Sequence, residues 1–281
     1  MPMETITNEA ELRSAGFDWR EKGGVRAIVC APLEREGFAN AFSTRLGGTS
    51  PMPHAALNLA GFDDDTAENI HENRRRFLRL FDGEWALAAC WQVHGVEVRV
   101  VHDAATDVRA DAERYDALVT RAPRVLLGVK TADCVPVLLG DARTGACASV
   151  HAGWRGALAS IVPHALERMR AEFGTHAADV RAAIGPAAGA CCYEVGSEVI
   201  NAFRERFAYA DDLLIPTREA HARIDLQRAN RQQLIDAGVD GERIHTLPLC
   251  TMCRTDLFFS YRREKSLYGR TGRLLSVIGH S

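Results

Sequence analysis

Between residues 117 and 151 the chain carries four short runs that are apolar almost throughout: ALVT, VLLGVK, PVLLG and CASVH. Short apolar runs bounded by turn residues are typical of buried β-strands. The segment DARTG (141–145) separates the last two runs and predicts a hairpin turn between them. Few helical segments interrupt this block. The sequence therefore predicts a mixed α+β sandwich rather than a doubly wound parallel sheet.

The segments on either side of this block extend the same prediction. Further strands are predicted at VRAIVCA (25–31), NAFST (40–44), WALAACW (85–91), VEVRVVH (96–102), VRAAIGP (180–186) and RLLSVIG (273–279). Helices are predicted from Asp65 or Thr66 to about Leu80, from Gly156 to Phe173, near 198–207 and near 225–237. We expect Glu68 to form a capping box with Asp65. We expect Pro163 to kink the second helix before it ends at Gly174.

Composition and charge restrict the class of protein. Hydrophobic residues make up 47% and charged residues 25% of the 281 positions, a balance typical of soluble globular proteins with a large core. No linker or repeat divides the chain, so a single domain over residues 1–281 is predicted. The formal net charge of −3 argues against nucleic-acid binding through bulk positive charge.

The chain contains no apolar stretch long enough to span a membrane and no secretory signal pattern. We therefore expect a cytoplasmic protein with no membrane partner. In that compartment its eight cysteines should be reduced, buried or metal-bound rather than paired in disulfides.

Three segments place metal-binding side chains beside predicted strands: CWQVHGVEV (90–98), TADCVPVLL (131–139) and SVHAGWRG (149–156). His94 follows one strand, Cys134 precedes another, and His151 ends a third. Two imidazoles and one thiolate suit zinc, and three protein ligands leave a fourth tetrahedral position open, as in catalytic sites. The alternative is that the three are unrelated core or turn residues, because spacing alone does not show convergence.

Two acidic residues and two arginines are candidates for catalysis or substrate binding. Asp133 directly precedes Cys134 and is a candidate general acid or base, with a turn cap as the alternative. Asp116, in YDALVT, is a second candidate of the same kind. Arg45, in STRLGGTS, and Arg155, near a predicted helix start, are candidates for binding an anion. The alternatives are an ordinary glycine turn and a surface arginine.

The segment FFSYRR (258–263) combines aromatic faces with Arg262 and Arg263. Such a mixture is able to stack a base and neutralise a phosphate, or to form a helix face with a solvated edge.

Cys250 and Cys253 form a C-x-x-C, but a structural zinc ribbon needs a second pair, and the adjacent Cys191 and Cys192 make a poor one. The zinc nucleobase deaminases require H-x-E, which none of the ten histidines begins.

Taken together, several motifs resemble the YfiH-like family, also called the laccase-domain or polyphenol oxidase family. They are STRLGGTS, LNL, WQVHG, TADCVPVLL, HAGWRG, AIGP, CCYEV, CTMC with FFSYRR, and the terminal TGRLLSVIG, and they run from residue 43 to the C-terminus. The resemblance implies a single-domain α/β sandwich shared with bacterial deamidase toxins. It implies zinc ligands at His94, Cys134 and His151. The implied activity is phosphorolysis of adenosine, inosine, guanosine and methylthioadenosine, with adenosine deamination.

The expected partners are therefore a purine nucleoside and phosphate. Asp133 and Cys134 are the expected catalytic residues. The expected substrate-binding residues, among which the arginines would hold phosphate by bidentate contact, are Arg45, Asn58, Asp116, Arg155, Tyr261 and Arg262.

Other classes of function remain open at this point. A Cys-dependent hydrolase would use Cys134 as a nucleophile activated by His151 or His94, and the peptidoglycan editing factors that some members resemble belong to this class. A copper polyphenol oxidase is disfavoured because a three-copper cluster draws on paired histidines and the chain contains no H-x-H. A single His₂Cys site is nevertheless able to hold copper. A non-enzymatic, metal-stabilised binding module ranks last.

Overall fold

The computed structural model describes residues 9–52, 54–61, 64–103 and 114–281. The strands are β1 (Phe17–Lys22), β2 (Val25–Cys30), β3 (Phe38–Ser43), β4 (Ser50–Met52), β5 (His54–Ala56), β6 (Ala86–Ala89), β7 (Val98–Val101), β8 (Ala117–Thr120), β9 (Val125–Thr131), β10 (Val135–Asp141), β11 (Ala146–Ala152), β12 (Val180–Ile184), β13 (Glu194–Gly196), β14 (Leu214–Arg218), β15 (His221–Ile224), β16 (Ile244–Thr246) and β17 (Leu274–His280). The helices are α1 (Glu9–Ser14), α2 (Ala31–Arg35), α3 (Ala67–Leu78), α4 (Trp154–Leu158), α5 (Ile161–Phe173), α6 (Ser197–Arg206), α7 (Ala210–Leu213), α8 (Leu226–Asp236) and α9 (Tyr261–Tyr268).

Two six-stranded sheets dominate this mixed α/β structure. Sheet 1 has the order β1-β2-β3-β17-β9-β6, and sheet 2 has the order β16-β12-β10-β11-β8-β7. Most neighbouring strands are antiparallel, whereas β6–β9, β7–β8 and β12–β16 are parallel. Strands β13, β15 and β14 form a small third sheet, and β4 pairs with β5.

The central strands of both large sheets are buried on both faces, which explains why they read as nearly continuous apolar runs. In β9, Leu127 faces the core between the two sheets, whereas Leu126 packs with Phe77 of α3 on the outer face. In β10, Leu138 lies in the core between the sheets, and Val137 lies in the core that includes α5 and α8. Because successive side chains point to opposite faces of a strand, the sheets stack as the two inner layers between outer helices.

The strand predictions of the sequence analysis are confirmed, and the predicted hairpin joins β10 to β11 with Asp141 opposite Ala146. The predicted helices near 198–207 and 225–237 are α6 and α8. The mixed α/β sandwich is likewise confirmed. No helix in the part of the chain that the structure describes has the length and apolar character needed to cross a bilayer.

Two details of the helix predictions are wrong. The segment 156–173 is not one kinked helix, because Ser160 adopts a left-handed φ of 64° and separates α4 from α5. Pro163 lies in the first turn of α5. Backbone N–H groups in a first turn have no hydrogen-bond partner within the helix, so the N–H that proline lacks is not needed there. Thr66, one of the two predicted caps of α3, is confirmed, because its side chain accepts a hydrogen bond from Asn69 N. The capping box predicted between Asp65 and Glu68 is wrong, because Asp65 is not the cap.

The topology brings two connections between the sheets to the same place. The connection from β6 to β7 leaves sheet 1 for sheet 2 and carries His94, and the connection from β9 to β10 does the same and carries Cys134. His151 lies near the end of β11, a central strand of sheet 2. The three residues therefore meet where the chain passes between the sheets.

Candidate metal centre

His94, Cys134 and His151 converge on one point of the structure. Their ligand atoms lie within 4.8 Å of one another, and Cys134 Sγ lies 3.8 Å from His94 Nε2. The two imidazole rings meet edge to face with centroids 4.9 Å apart. His151 is buried, Cys134 is half-buried and His94 is exposed. The group therefore opens to solvent on the His94 side, which leaves room for a further ligand.

The loop that carries His94 is held by a single carboxylate. Asp116 accepts hydrogen bonds from three consecutive backbone N–H groups, those of Val93 at 3.1 Å, His94 at 2.9 Å and Gly95 at 2.7 Å. These contacts stabilise His94 in a left-handed conformation with φ 63°, which costs about 1–2 kcal/mol for a residue other than glycine. The WQVHG sequence therefore forms a tight turn that presents an imidazole.

The same carboxylate orients His151. Nδ1 of His151 lies 2.7 Å from Oδ1 of Asp116, and the His151 backbone N–H donates to the Asp116 carbonyl at 2.7 Å. The other ring nitrogen of His151 is left for a metal or for Cys134. Carboxylates commonly orient metal-binding histidines in this way. Asp116 is fully buried, so it lies behind the histidines rather than at the open face, where a substrate-binding residue would be expected.

Two further contacts shape the centre. The side-chain amide of Gln92 pairs with both the N–H and the carbonyl of Lys130 at 2.8 Å, which anchors the His94 loop to β9. Gly153 lies so close that a Cβ atom there would stand 2.8 Å from His94 Cδ2 and 3.0 Å from Cys134 Sγ. The chain therefore needs glycine at this position of HAGWRG to let the two ligands approach.

The electrostatics of the centre favour charged forms of its side chains. Burial opposes ionisation of Cys134, but the charge of His151 and hydrogen bonds from both histidines outweigh it and lower the Cys134 pKa to about 6. Burial likewise opposes protonation of His151, but Cys134 and Asp116 raise its pKa to about 9. Burial would raise the pKa of Asp116, yet His151 and the loop N–H groups lower it. Without a metal, these pKa shifts of Cys134 and His151 favour a thiolate–imidazolium pair near neutral pH.

The donor set fits a zinc ion. Two imidazoles and a thiolate with a low pKa are the ligands that zinc prefers, and three of them with one open side match a catalytic coordination shell. The orienting carboxylate and the close approach at Gly153 support a built site rather than a chance encounter. Copper accepts the same donors, so the geometry indicates a metal site without selecting the ion.

The carboxylate of Asp133 is bonded to groups outside the three ligands. Its Oδ1 accepts from the Thr251 hydroxyl at 2.6 Å, and its Oδ2 accepts from the Ser260 hydroxyl at 3.0 Å and the Arg262 N–H at 2.7 Å. Its backbone adopts a left-handed φ of 91° directly before Cys134. These contacts make Asp133 a clamp between the Cys134 turn and the start of α9.

Arg45 and Asn58, both expected at the substrate, are committed to other protein groups. Arg45 is buried, and its guanidinium pairs with Glu264 at 2.5 Å and donates to carbonyl oxygens including that of Thr255 at 2.8 Å. Asn58 is fully buried and donates to Asp65 at 3.0 Å. Neither has a hydrogen bond to the three ligands in the described part of the chain.

Arg155, Tyr261 and Arg262 remain available at the surface. Arg155 is exposed and stacks over Trp154, with its guanidinium carbon 4.1 Å from the ring centre. Tyr261 is half exposed at the start of α9. Arg262 donates to the Glu194 carbonyl at 3.2 Å. Arg155 follows Gly153 by two residues and Arg262 is bonded through its backbone to Asp133, so both lie on segments that adjoin the centre.

Sequence reasoning missed Tyr193. Arg262 lies over its ring at 5.1 Å, and burial, followed by the negative charge of Cys134, raises the pKa of the Tyr193 hydroxyl. Tyr193 is therefore close enough to the centre to sense Cys134. The motif CCYEV, which contributed to the family resemblance, could have pointed to this tyrosine, but no role was assigned to it from the sequence.

A separate basic depression, lined in part by Lys22, Arg75 and Arg79, contains none of the three ligands.

Comparisons with known proteins show a family and several relatives to which this chain is similar. The profile of the family described as multi-copper polyphenol oxidoreductase laccase matches residues 39–281. A purine nucleoside phosphorylase of Bacteroides thetaiotaomicron is 37% identical over 243 residues, with 84% of this chain and 89% of that protein covered. Adenosine deaminase RL5, from an unknown prokaryotic organism, is 39% identical over 255 residues, with 85% and 96% covered.

The fold is also found in solved structures. The crystal structure of YlmD from Geobacillus stearothermophilus superposes with a TM-score of 0.84 at 32% sequence identity, and the match covers 94% of this chain and 98% of YlmD. The strong agreement over nearly the whole length extends the similarity beyond the motifs to the complete sandwich.

Proposed function

Because the chain belongs to the multi-copper polyphenol oxidoreductase laccase family, we propose that it is a zinc-dependent purine nucleoside phosphorylase that also deaminates adenosine. The observation that carries the proposal is the convergence of His94, Cys134 and His151 within 4.8 Å, with one side open to solvent. The names of the relatives, purine nucleoside phosphorylase and adenosine deaminase, supply the reaction classes.

The roles of the residues follow from their contacts. His94, Cys134 and His151 would hold the ion, and a zinc ion in such a shell supplies Lewis-acid chemistry near neutral pH. Asp116 positions both histidines from behind and does not contact substrate. Asp133 positions the turn before Cys134 and brings the start of α9 to it. These assignments give the two acidic residues supporting roles in place of the direct roles that the sequence predicted.

Segments that adjoin the centre carry groups that suit a nucleoside and an anion. Arg155 and Arg262 offer guanidinium groups for phosphate, which binds well to bidentate donors. Tyr193 and Tyr261 offer aromatic faces on which a purine can stack. Arg45 does not belong to this set, because Glu264 and backbone carbonyls already occupy its donors.

Product analysis with adenosine tests the reaction class. The protein is incubated with adenosine, with and without inorganic phosphate, and the products are separated by chromatography. We expect adenine to form only when phosphate is present, because phosphate is the second substrate, and inosine to form in either case. Equal release of adenine without phosphate would contradict phosphorolysis.

A pair of arginine variants tests whether Arg155 binds phosphate. We expect Arg155→Ala to raise the phosphate concentration required by roughly tenfold to a hundredfold, since a charged hydrogen bond contributes about 1.5–3 kcal/mol. Deamination in phosphate-free buffer should change less. Arg170→Ala serves as the control, because Arg170 is an exposed arginine of α5 paired with Glu167. Equal loss of both reactions in Arg155→Ala would instead assign Arg155 to the nucleoside or to the integrity of the site.

The lowered pKa of Cys134 favours one second candidate, a hydrolase in which Cys134 is the nucleophile. Cys134→Ala should abolish activity in both cases, so metal content is the discriminating measurement. We expect bound zinc to fall together with activity. An inactive variant that keeps the zinc at this centre would support the hydrolase.

A further inference from the structure

A second group of cysteines lies outside the centre described above. Cys191 and Cys192 come from the turn after β12, and Cys250 and Cys253 come from the turn after β16. All four sulfur atoms lie within 4.8 Å of one another. From the sequence, the adjacent Cys191 and Cys192 made a poor second pair for a zinc site. The turn nevertheless directs both sulfurs to the same partner, with Cys253 Sγ 3.5 Å from Cys191 Sγ and 3.2 Å from Cys192 Sγ.

The backbone holds the two turns together independently of the sulfur atoms. Ala187 pairs with Cys250 in an isolated parallel bridge, in which Ala187 N donates to the Leu249 carbonyl and Thr251 N donates to the Ala187 carbonyl at 2.9 Å. Gly189 N donates to Cys250 Sγ at 3.3 Å. An N–H group that donates to a sulfur in this way stabilises a thiolate ligand, as outer-shell contacts do in metal sites.

We propose that Cys191, Cys192, Cys250 and Cys253 bind one zinc ion as a closed, structural tetrathiolate site. Zinc–sulfur bonds of about 2.3 Å in a tetrahedron place the sulfur atoms about 3.8 Å apart, which matches the size of this cluster. A two-iron cluster also uses four thiolates, but its second metal and bridging sulfides would require the two pairs of sulfurs to stand farther apart.

Positive groups adjoin the cluster, as four thiolates around a divalent ion require. Arg263 contacts the Cys192 sulfur, and Arg223 donates to the Cys191 carbonyl at 3.0 Å. Cys250 is buried, Cys191 and Cys192 are half-buried and Cys253 is exposed. The ion would therefore enter from the Cys253 side and close the two turns against each other.

The site would also stabilise the approach to the first centre. The Thr251 hydroxyl, next to Cys250, donates to the Asp133 carboxylate at 2.6 Å. Ala188 N, three residues before Cys191, donates to the Asp133 carbonyl at 2.8 Å. Asp133 directly precedes Cys134. Fixing the two cysteine turns thus fixes the residue that sets the position of the Cys134 ligand.

Metal stoichiometry in matched variants tests the proposal. The protein is produced in zinc-supplemented medium, dialysed and analysed for bound metal by elemental analysis. We expect two zinc ions per chain in the unaltered protein, one in Cys253→Ser, one in His151→Ala, and none in the double variant. Cys147→Ala is the control, because Cys147 is buried in the core between the sheets and belongs to neither cluster, and it should retain both ions.

Cobalt provides a second measurement that does not depend on purification with zinc. Metal-free protein is titrated with Co²⁺, and the thiolate-to-cobalt absorption is recorded together with circular dichroism as a check of folding. We expect the intense absorption of a tetrathiolate site in the unaltered protein and in His151→Ala, and its loss in Cys253→Ser. Unchanged zinc content and cobalt absorption in a folded Cys253→Ser protein would overturn the proposal. So would a disulfide between these cysteines, detected as two fewer free thiols than the eight cysteines of the chain.

Discussion

At the scale of single residues, Asp116 serves both histidines of the first centre at once. Its carboxylate accepts three backbone N–H groups of the His94 loop and pairs with His151 Nδ1. Four donors therefore meet one fully buried acceptor. A neutral amide cannot satisfy them, because one of its two polar atoms is itself a donor.

We expect Asp116→Asn to weaken metal binding at the first centre by about tenfold to a hundredfold, the usual consequence of losing a partner that orients a metal-binding histidine. Competition with a coloured chelator measures the change. Asp211→Asn is the control, because Asp211 is an exposed carboxylate paired with Arg204. Wild-type affinity in a folded Asp116→Asn protein would show that the loop and His151 hold their geometry without this charge.

The thiol of Cys134 gives a pH-dependent prediction. The histidines lower its pKa to about 6 against the effect of burial, so in metal-free protein the thiolate fraction increases as the pH rises through that value. We expect its alkylation by iodoacetamide to increase over the same range and to be suppressed by bound metal. Burial raises the pKa of Cys30, Cys90 and Cys147 to about 12, so these thiols should stay unmodified.

Peptide mass spectrometry after alkylation at a series of pH values follows each cysteine separately. A Cys134 rate that increases only near the ordinary thiol pKa, about 8.5, would contradict the thiolate–imidazolium pair. Protection by metal would be lost in His151→Ala, because that variant lacks one of the ligands.

At the scale of elements, the break between α4 and α5 depends on Ser160 and not on Pro163. We expect Ser160→Val to lower the free energy of unfolding by about 1–2 kcal/mol, because a β-branched residue is strained at a φ of 64°. Pro163→Ala should change it by less than about 1 kcal/mol, since proline is well tolerated in a first turn. Urea denaturation measures both, and a larger loss in Pro163→Ala would restore the kink interpretation.

Sequence patterns identified these elements well because burial on both faces leaves a clear apolar signal. Leu126 and Leu127 are both buried, on opposite faces of β9, so the run VLLGVK is apolar at every position except Lys130. The helix caps were less predictable. Whether Asp65 or Thr66 caps α3 depends on Ser50 and Asn58, which bond to Asp65 from positions 15 and 7 residues earlier in the chain, outside the helix.

At the scale of the whole molecule, the residues of the first centre could be named from their motifs, but their surroundings could not. Nothing near Arg45 in the sequence indicates that Glu264, 219 positions away, binds its guanidinium. Nothing in the motif YDALVT indicates that Asp116 is buried and bonded to the His94 loop and to His151. The four cysteines looked like a poor zinc site for the same reason, because the bridge between Ala187 and Cys250 is a tertiary contact that spacing does not reveal.

The position of β17 has a consequence for protein synthesis. This strand follows all the others in the chain, yet it lies in the middle of sheet 1, between β3 and β9. Sheet 1 therefore stays divided on the ribosome until the last strand has been translated, and pairings between such distant segments form slowly. The connections that carry His94 and Cys134 leave from β6 and β9, which pair with each other on one side of β17, so the first centre borders the half of sheet 1 that β17 joins to β1, β2 and β3.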